Sequence, residues 1–391
     1  MKRLPQVFII FLSVDWNLFN RREMVRALAE AVKKHGSTII AVNRPLCPFT
    51  TFLKKRNRIK ELFVPAGVER LSDNLILYSP KYFVHDHIAA KAGFLERLNI
   101  FALQKSFGAL FRQLGIKDDR PVVWYYYPEQ GYVSQIFKER FLIYELYDEL
   151  ADVLGNEITS MVIREKKLKV NVDLFLSVVS FLFDKYSPGY KHSYLFGNGL
   201  SRETFESLKG MSVNSQGQGG HPRIGYAGMV SDRIDWDLIR EMALGKTGWD
   251  FDFHGIILDE NIPRKFENVG NVSFHGSYAQ EELPGILAGY DVAILPYLSS
   301  DFLNHLHPLK FFEYAAAALP VVSSLNYEFE DFPESLVCMP EHNAQSWIEA
   351  INRRLSADRA KLKEVGLEIA EQYVWDNMCE KLVEKISELY S

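Results

Sequence analysis

Cysteine is scarce: Cys47, Cys338 and Cys379 are the only three in 391 residues. They show no CxxC spacing and no histidine cluster beside them, which excludes a disulfide framework or a structural zinc site and fits a reducing compartment, the cytoplasm. No apolar run approaches the ~20 residues of a membrane span. The start, MKRLPQVFIIFLSVDW, has a basic head and a short apolar run with no small-residue cleavage site after it, so it reads as a first buried strand rather than a signal peptide. No GxGxxG follows that strand, which argues against a nicotinamide dehydrogenase, and no repeat of fixed period is visible.

What is present is a long, mixed chain. With 47% hydrophobic and 24% charged residues it is a globular sequence, and a prior of roughly 150 residues per domain points to two domains. The first half alternates apolar runs with helical patterns: QVFIIFLS at 6–13, an amphipathic helix at 21–36 closed by Gly36, STIIAVN, then runs at 121–127, 141–148 and 172–179. This is the form of a doubly wound parallel sheet. Residues 186–222 are rich in turn formers and in a polar, glycine-rich stretch, so the domain boundary belongs there. A second alternating series runs through 223–228, 249–255, 271–276, 291–297 and 319–324, and the last fifty residues are mostly helical. Charge is uneven. Residues 1–200 hold 29 Lys and Arg against 20 Asp and Glu, a balance of +9, and the remainder holds 16 against 30, or −14. This reads either as ordinary solvated faces or as a basic first domain that meets an anionic surface.

In open parallel sheets ligands bind beyond the carboxyl ends of the strands. In the second series those ends carry Gly228, His254, Gly255, Tyr278, Pro296 and Tyr297, followed by HPLKFFEYAAAALPVV at 307–322. Pro308 suits the first turn of a helix, whose free N–H groups favour an anion. Lys310 adds a full positive charge. Glu313, one turn on, lies on the same side and could accept two hydrogen bonds from a vicinal diol such as ribose. Together these meet the needs of a nucleotide; taken alone they are also compatible with a surface ion pair. DWD at 235–237 and DFD at 250–252 imitate a metal-binding DxD, but the first begins a helix and the second opens a strand on the wrong side of the sheet, so no metal is expected.

HPLKFFEYAAAALPVV resembles the P-x-K-x-x-E-Y-x-A-x-G-x-P-V-V signature of the GT-B glycosyltransferases of family 4, in particular the teichuronic acid biosynthesis branch. RIGYAGMVSDRIDWDLI, NVSFHGSYAQEELPGILAGYDVAILPY and YLFGNGLSRETF extend the resemblance, and DWNLFNRREMVRAL and YELYDELADVLG match more loosely. The resemblance implies two Rossmann-like domains facing a central cleft: an acceptor domain at 1–195, a hinge and linker at 196–222, a nucleotide-sugar domain at 223–370, and a helix at 371–391 that packs back on the first domain. It implies retaining sugar transfer. Glu313 would be the second carboxylate of the family's E-x7-E, holding the ribose hydroxyls, and Lys310 would lie near the pyrophosphate. His305 stands where the first Glu of that motif would fall, and Ala318 stands where a glycine is usual, which suggests a tighter helix end.

The resemblance places an active-site group after the 141–148 strand, where Tyr147, Asp148 and Glu149 stand. Asp148 is the candidate to stabilise a developing sugar cation or position the acceptor hydroxyl; its alternative is a helix N-cap. Asp15 and Arg21 flank the first strand-to-helix loop, on the cleft side. Arg233, in the matching loop of the second domain, and His307 join the donor-binding group. The expected reaction moves a sugar from a nucleotide-activated donor to a glycan or lipid-linked acceptor of a cell-surface polysaccharide. It needs no cofactor and involves no nucleic acid. A nucleotide-sugar 2-epimerase and a non-catalytic nucleotide-sugar-binding partner protein remain as alternatives. The basic segment FLKKRNRIKELF at 52–63, with interleaved apolar residues, suggests peripheral attachment to anionic lipid on the inner membrane face.

Overall fold

The computed structural model describes residues 4–43, 67–80, 84, 86–89, 92–117, 120–138, 140–147, 149–150, 158–211, 220–298, 309–325 and 332–390. The chain divides into two compact units, one of Met1–Phe196 with Met378–Ser391 and one of Gly197–Asn377.

In the first unit the strands are β1 (Val7–Phe11), β2 (Thr38–Val42), β3 (Gly67–Arg70), β4 (Leu75–Ser79), β5 (Val122–Tyr125), β6 (Phe141–Leu146), β7 (Leu174–Ser177) and β8 (Ser193–Leu195). They form one sheet in the order β3-β4-β2-β1-β5-β6-β7-β8, parallel throughout except where β3 pairs with β4. β1 is buried at all five positions, which is why its sequence is a continuous apolar run rather than an alternating one. The Arg22–Lys33 helix turns Met24, Val25, Leu28, Ala29 and Val32 inward, the spacing of one helical face. The last turns of the Trp375–Tyr390 helix belong to this unit. The Tyr390 hydroxyl donates to the Arg120 carbonyl at 2.7 Å, Arg120 donates back to the Tyr390 carbonyl at 3.1 Å, and the Cys379 thiol meets the Met24 carbonyl at 3.5 Å.

The second unit has six parallel strands, β9 (Arg223–Ala227), β10 (Asp250–His254), β11 (Val272–Gly276), β12 (Val292–Leu295), β13 (Val321–Ser323) and β14 (Val337–Cys338), in the order β11-β10-β9-β12-β13-β14. Counted from its own first strand this is 3-2-1-4-5-6, the Rossmann order, with its reversal between β9 and β12. The first unit reverses in the same way between β1 and β5. The turn-rich stretch from 186 contains more structure than its composition suggests, namely β8 and the Arg202–Lys209 helix, capped by the Ser201 hydroxyl accepting from Thr204 N at 3.0 Å. β8 is a short edge strand with no buried residue, so it leaves no period in the sequence.

The alanine run has a packing reason. The Leu309–Ala316 helix lies so close to the Arg359–Gln372 helix that a Cβ on Gly366 would overlap the Ala315 carbonyl. Small residues on both sides permit the approach. Its end corrects the expectation of a tighter turn: Ala318 itself adopts the left-handed conformation, φ +58°. Ala318 N donates to Ala315 O at 3.0 Å and Leu319 N to Tyr314 O at 2.9 Å, a Schellman closure built on alanine.

Candidate functional site

At the reversal point of the second unit the strand ends are tied in series. Gly228 N donates to the His254 carbonyl, and Gly255 N to the Gly276 carbonyl, both at 2.7 Å. Gly255 sits at φ +145°, and a Cβ there would strike the Gly228 carbonyl, so only glycine serves. Lys310 lies directly over Gly228, where any side chain would displace it, and its Nζ is 5.7 Å from the centre of the Tyr226 ring. Across the reversal, Asp235 N donates to Pro296 O at 2.8 Å and Leu298 N to Arg233 O at 2.9 Å. Ser324 Oγ donates to Tyr297 O at 2.7 Å. Arg233 is exposed beside these bonds, and Tyr297 and Pro296 are buried.

Glu313 is 8% exposed, and among the described residues it forms no ion pair. Burial pushes its carboxyl above the ordinary value, opposed by the Lys310 charge and a hydrogen bond from Gln280. Burial, reinforced by that carboxylate, raises the nearby Tyr278 hydroxyl to about 12. A buried carboxylate with so little compensation is costly to the fold. The helix that carries it is fixed from behind: Phe312 stacks on Tyr373 at 4.0 Å, and the Tyr314 hydroxyl accepts from Ala227 N at 2.9 Å. His254 completes the floor. Its Nδ1 is 2.7 Å from the Tyr290 hydroxyl and its ring stacks on His275 at 4.1 Å. Burial, and next the neighbouring His275, lower its pKa.

Both DxD imitations have structural roles. Asp235 caps the Trp236–Gly245 helix by accepting from Leu238 N at 2.9 Å. Asp252 is held by Arg223 at 3.1 Å and His275 at 2.7 Å. Among the described residues no group of three potential ligands could hold a metal ion.

The first-unit candidates fall into different surroundings. Arg21 is not a loop residue open to a ligand. Its side chain is 2% exposed and pairs with the fully buried Glu145 at 3.1 Å, because β6 turns that carboxylate inward beside the helix start. Trp124 Nε1 donates to the same carboxylate at 3.0 Å. Tyr147 lies next to Arg21, 5.8 Å from ring centre to guanidinium, and accepts from the Asn20 amide. Glu149 turns away to Lys185, at 2.7 Å, and Asp15 is exposed at the start of a short 3-10 turn. Asp148, His305, His307 and Pro308 lie outside the described residues. Sequence reasoning missed Gln280, Tyr226, Tyr290 and Glu145; each lies within a stretch that carries the resemblance, but none has a local signal of its own, because its partner comes from another element.

Residues 221–357 match the family described as glycosyl transferases group 1. Among curated sequences, TuaH of Bacillus subtilis (strain 168), named as a teichuronic acid biosynthesis glycosyltransferase, is 25% identical over 225 residues, 53% of this chain. That match spans 56% of TuaH, little more than half its length. Among solved structures, sucrose-phosphate synthase from Thermosynechococcus elongatus superposes with a TM-score of 0.66 over 98% of this chain and 99% of that one, at 17% identity. Anabaena Alr3699/HepE, in complex with UDP and glucose, does so with a TM-score of 0.61 over 98% of this chain and 100% of its own, at 14% identity. The chain therefore has the GT-B fold, and its second unit carries the sequence pattern of the group 1 glycosyl transferases.

Proposed function

We propose that this protein is a glycosyltransferase that moves a sugar, with retention, from a nucleotide-activated donor held by the second unit to a glycan or lipid-linked acceptor in cell-surface polysaccharide synthesis. The observation that carries the reading is Glu313, a buried carboxylate without an ion pair among the described residues, at the reversal point of a Rossmann sheet and one turn from a lysine packed on a glycine. Lys310 would offset the charge that develops on the departing diphosphate. Glu313 would accept from two ribose hydroxyls, which would offset the cost of its burial. The family match, and the UDP and glucose held by the Anabaena relative, support a nucleotide-sugar donor, and the name of TuaH supports a surface-polysaccharide role.

Asp148 is proposed to act on the sugar's developing positive charge, with Tyr147 nearby; Asp148→Asn would leave donor binding intact and slow transfer ~100-fold. Attachment through 52–63 to the cytoplasmic membrane face is a separate proposal, on a segment outside the described residues. A thermal-shift panel of nucleoside diphosphates and nucleotide sugars tests the donor site, since a ligand at 100 times its Kd stabilises by ~2.7 kcal/mol. The stabilising donor, incubated with lipid-linked acceptors and followed by mass spectrometry, tests the transfer. No stabilisation by any nucleotide overturns the reading.

A further inference from the structure

The Gly93–Leu114 helix of the first unit buries Ile100, Leu103, Phe107 and Leu110 against the core. Its outer face is not the polar one that a solvent-facing helix normally shows. Phe94 and Phe101 are each 65% exposed, and Leu98 between them is 43% exposed. The spacings of four and three place all three on one stripe. Exposed Arg97, Lys105 and Arg112 interleave with it, and none of them makes an ion pair among the described residues. The only acid of the helix, Glu96, is taken by Arg164 at 3.1 Å.

That ion pair ties the helix to the Thr159–Leu168 helix, which repeats the pattern. There Ile163 is exposed beside Lys166 and Lys167, and the single acid, Glu165, is buried and bonded to the Tyr190 hydroxyl at 2.8 Å. A stripe of large apolar side chains edged by cations, with every acid withdrawn, matches a surface that is apolar within and anionic at its boundary. An apolar protein groove would leave the cations without partners. A second copy of the chain would set cation against cation.

We infer that this face docks on an anionic lipid bilayer, with Phe94, Leu98 and Phe101 at the boundary between headgroups and acyl chains and Arg97 and Lys105 on lipid phosphates. The inference rests on the geometry of this face alone and does not depend on the glycosyl-transfer reading.

The test uses the full chain and vesicles of phosphatidylcholine with or without phosphatidylglycerol, read by co-sedimentation. The wild type is expected to bind the anionic vesicles in preference to the neutral ones. Both Phe94→Ser/Phe101→Ser and Arg97→Glu/Lys105→Glu should weaken that binding by about tenfold or more, since each basic residue near such a surface contributes on the order of a tenfold factor or somewhat less, while the melting midpoint stays unchanged. Failure of the wild type to bind, equal binding to neutral vesicles, or wild-type binding by both variants overturns the inference. So does loss of binding only on charge reversal of Lys54, Lys55, Arg56 and Arg58, or a dimer that the Phe variants dissociate without changing lipid binding.

Discussion

Each unit sets a cation and a buried carboxylate beside a helix start on a doubly wound sheet, with different outcomes. In the first, Arg21 and Glu145 meet at 3.1 Å and Trp124 donates to the second carboxylate oxygen. In the second, Lys310 is drawn over Gly228 and toward the Tyr226 ring, and Glu313 has the Lys310 charge nearby and a hydrogen bond from Gln280 but no ion pair among the described residues. A buried carboxylate held in an ion pair is part of the fold. One without an ion pair among the described residues is a standing electrostatic cost, and such costs are typical of sites where a ligand supplies the missing partners.

The largest expected effect comes from breaking the Arg21–Glu145 ion pair. Glu145→Ala should leave Arg21 buried without its counter-ion and destabilise the first unit by ~3–5 kcal/mol in urea unfolding, while nucleotide binding measured on the remaining folded protein stays near wild type. Glu313→Ala should do the reverse: binding of the preferred nucleoside diphosphate in calorimetry should fall by ~10-fold to 100-fold, as expected for lost hydrogen bonds to a charged group, while stability at neutral pH does not fall below wild type. If both variants behave alike, the contrast between the units is wrong.

A pH series sharpens the same contrast. The folded chain holds the Glu313 proton more tightly than the unfolded chain does, because burial disfavours the charge. The associated stability is therefore fully present below the ordinary carboxyl value of roughly 4.3 and is lost as pH rises through the raised one. Glu145 shifts in the same direction, with burial as its first cause and Arg21 opposing it. Glu313→Gln should remove its share of the loss, so that its stability relative to wild type improves on going from acid to neutral pH; a constant difference across the range would contradict the shift. The smallest effect concerns the helix that bears Lys310 and Glu313. Ala318→Gly should relieve a left-handed alanine and raise stability by ~0.5–1 kcal/mol in thermal unfolding, leaving donor affinity unchanged.

Some of this molecule was determined by local sequence. VFIIF and VAIL had to be strands buried on both faces, because a continuous apolar run of that length has nowhere else to go. Lys310 and Glu313 had to share a helix side, because three residues are nearly one turn. The two alternating series were enough for two parallel sheets. Other features only the tertiary structure decided. The strand orders place the reversal between β9 and β12, and pairing partners are chosen by packing over long sequence separations, to which local periodicity is blind. Arg21 read as a loop cation because its partner is a β6 residue far along the chain, in a strand whose apolar pattern hides one inward carboxylate. Ala318 read as a tighter turn because alanine disfavours positive φ. The buried contact between the Leu309–Ala316 and Arg359–Gln372 helices, with Gly366 against Ala315, holds the chain end where that conformation is required. Whether a charge is exposed, paired or left waiting is a property of the assembled core, since burial and counter-charge arrive from residues that the local sequence does not contain.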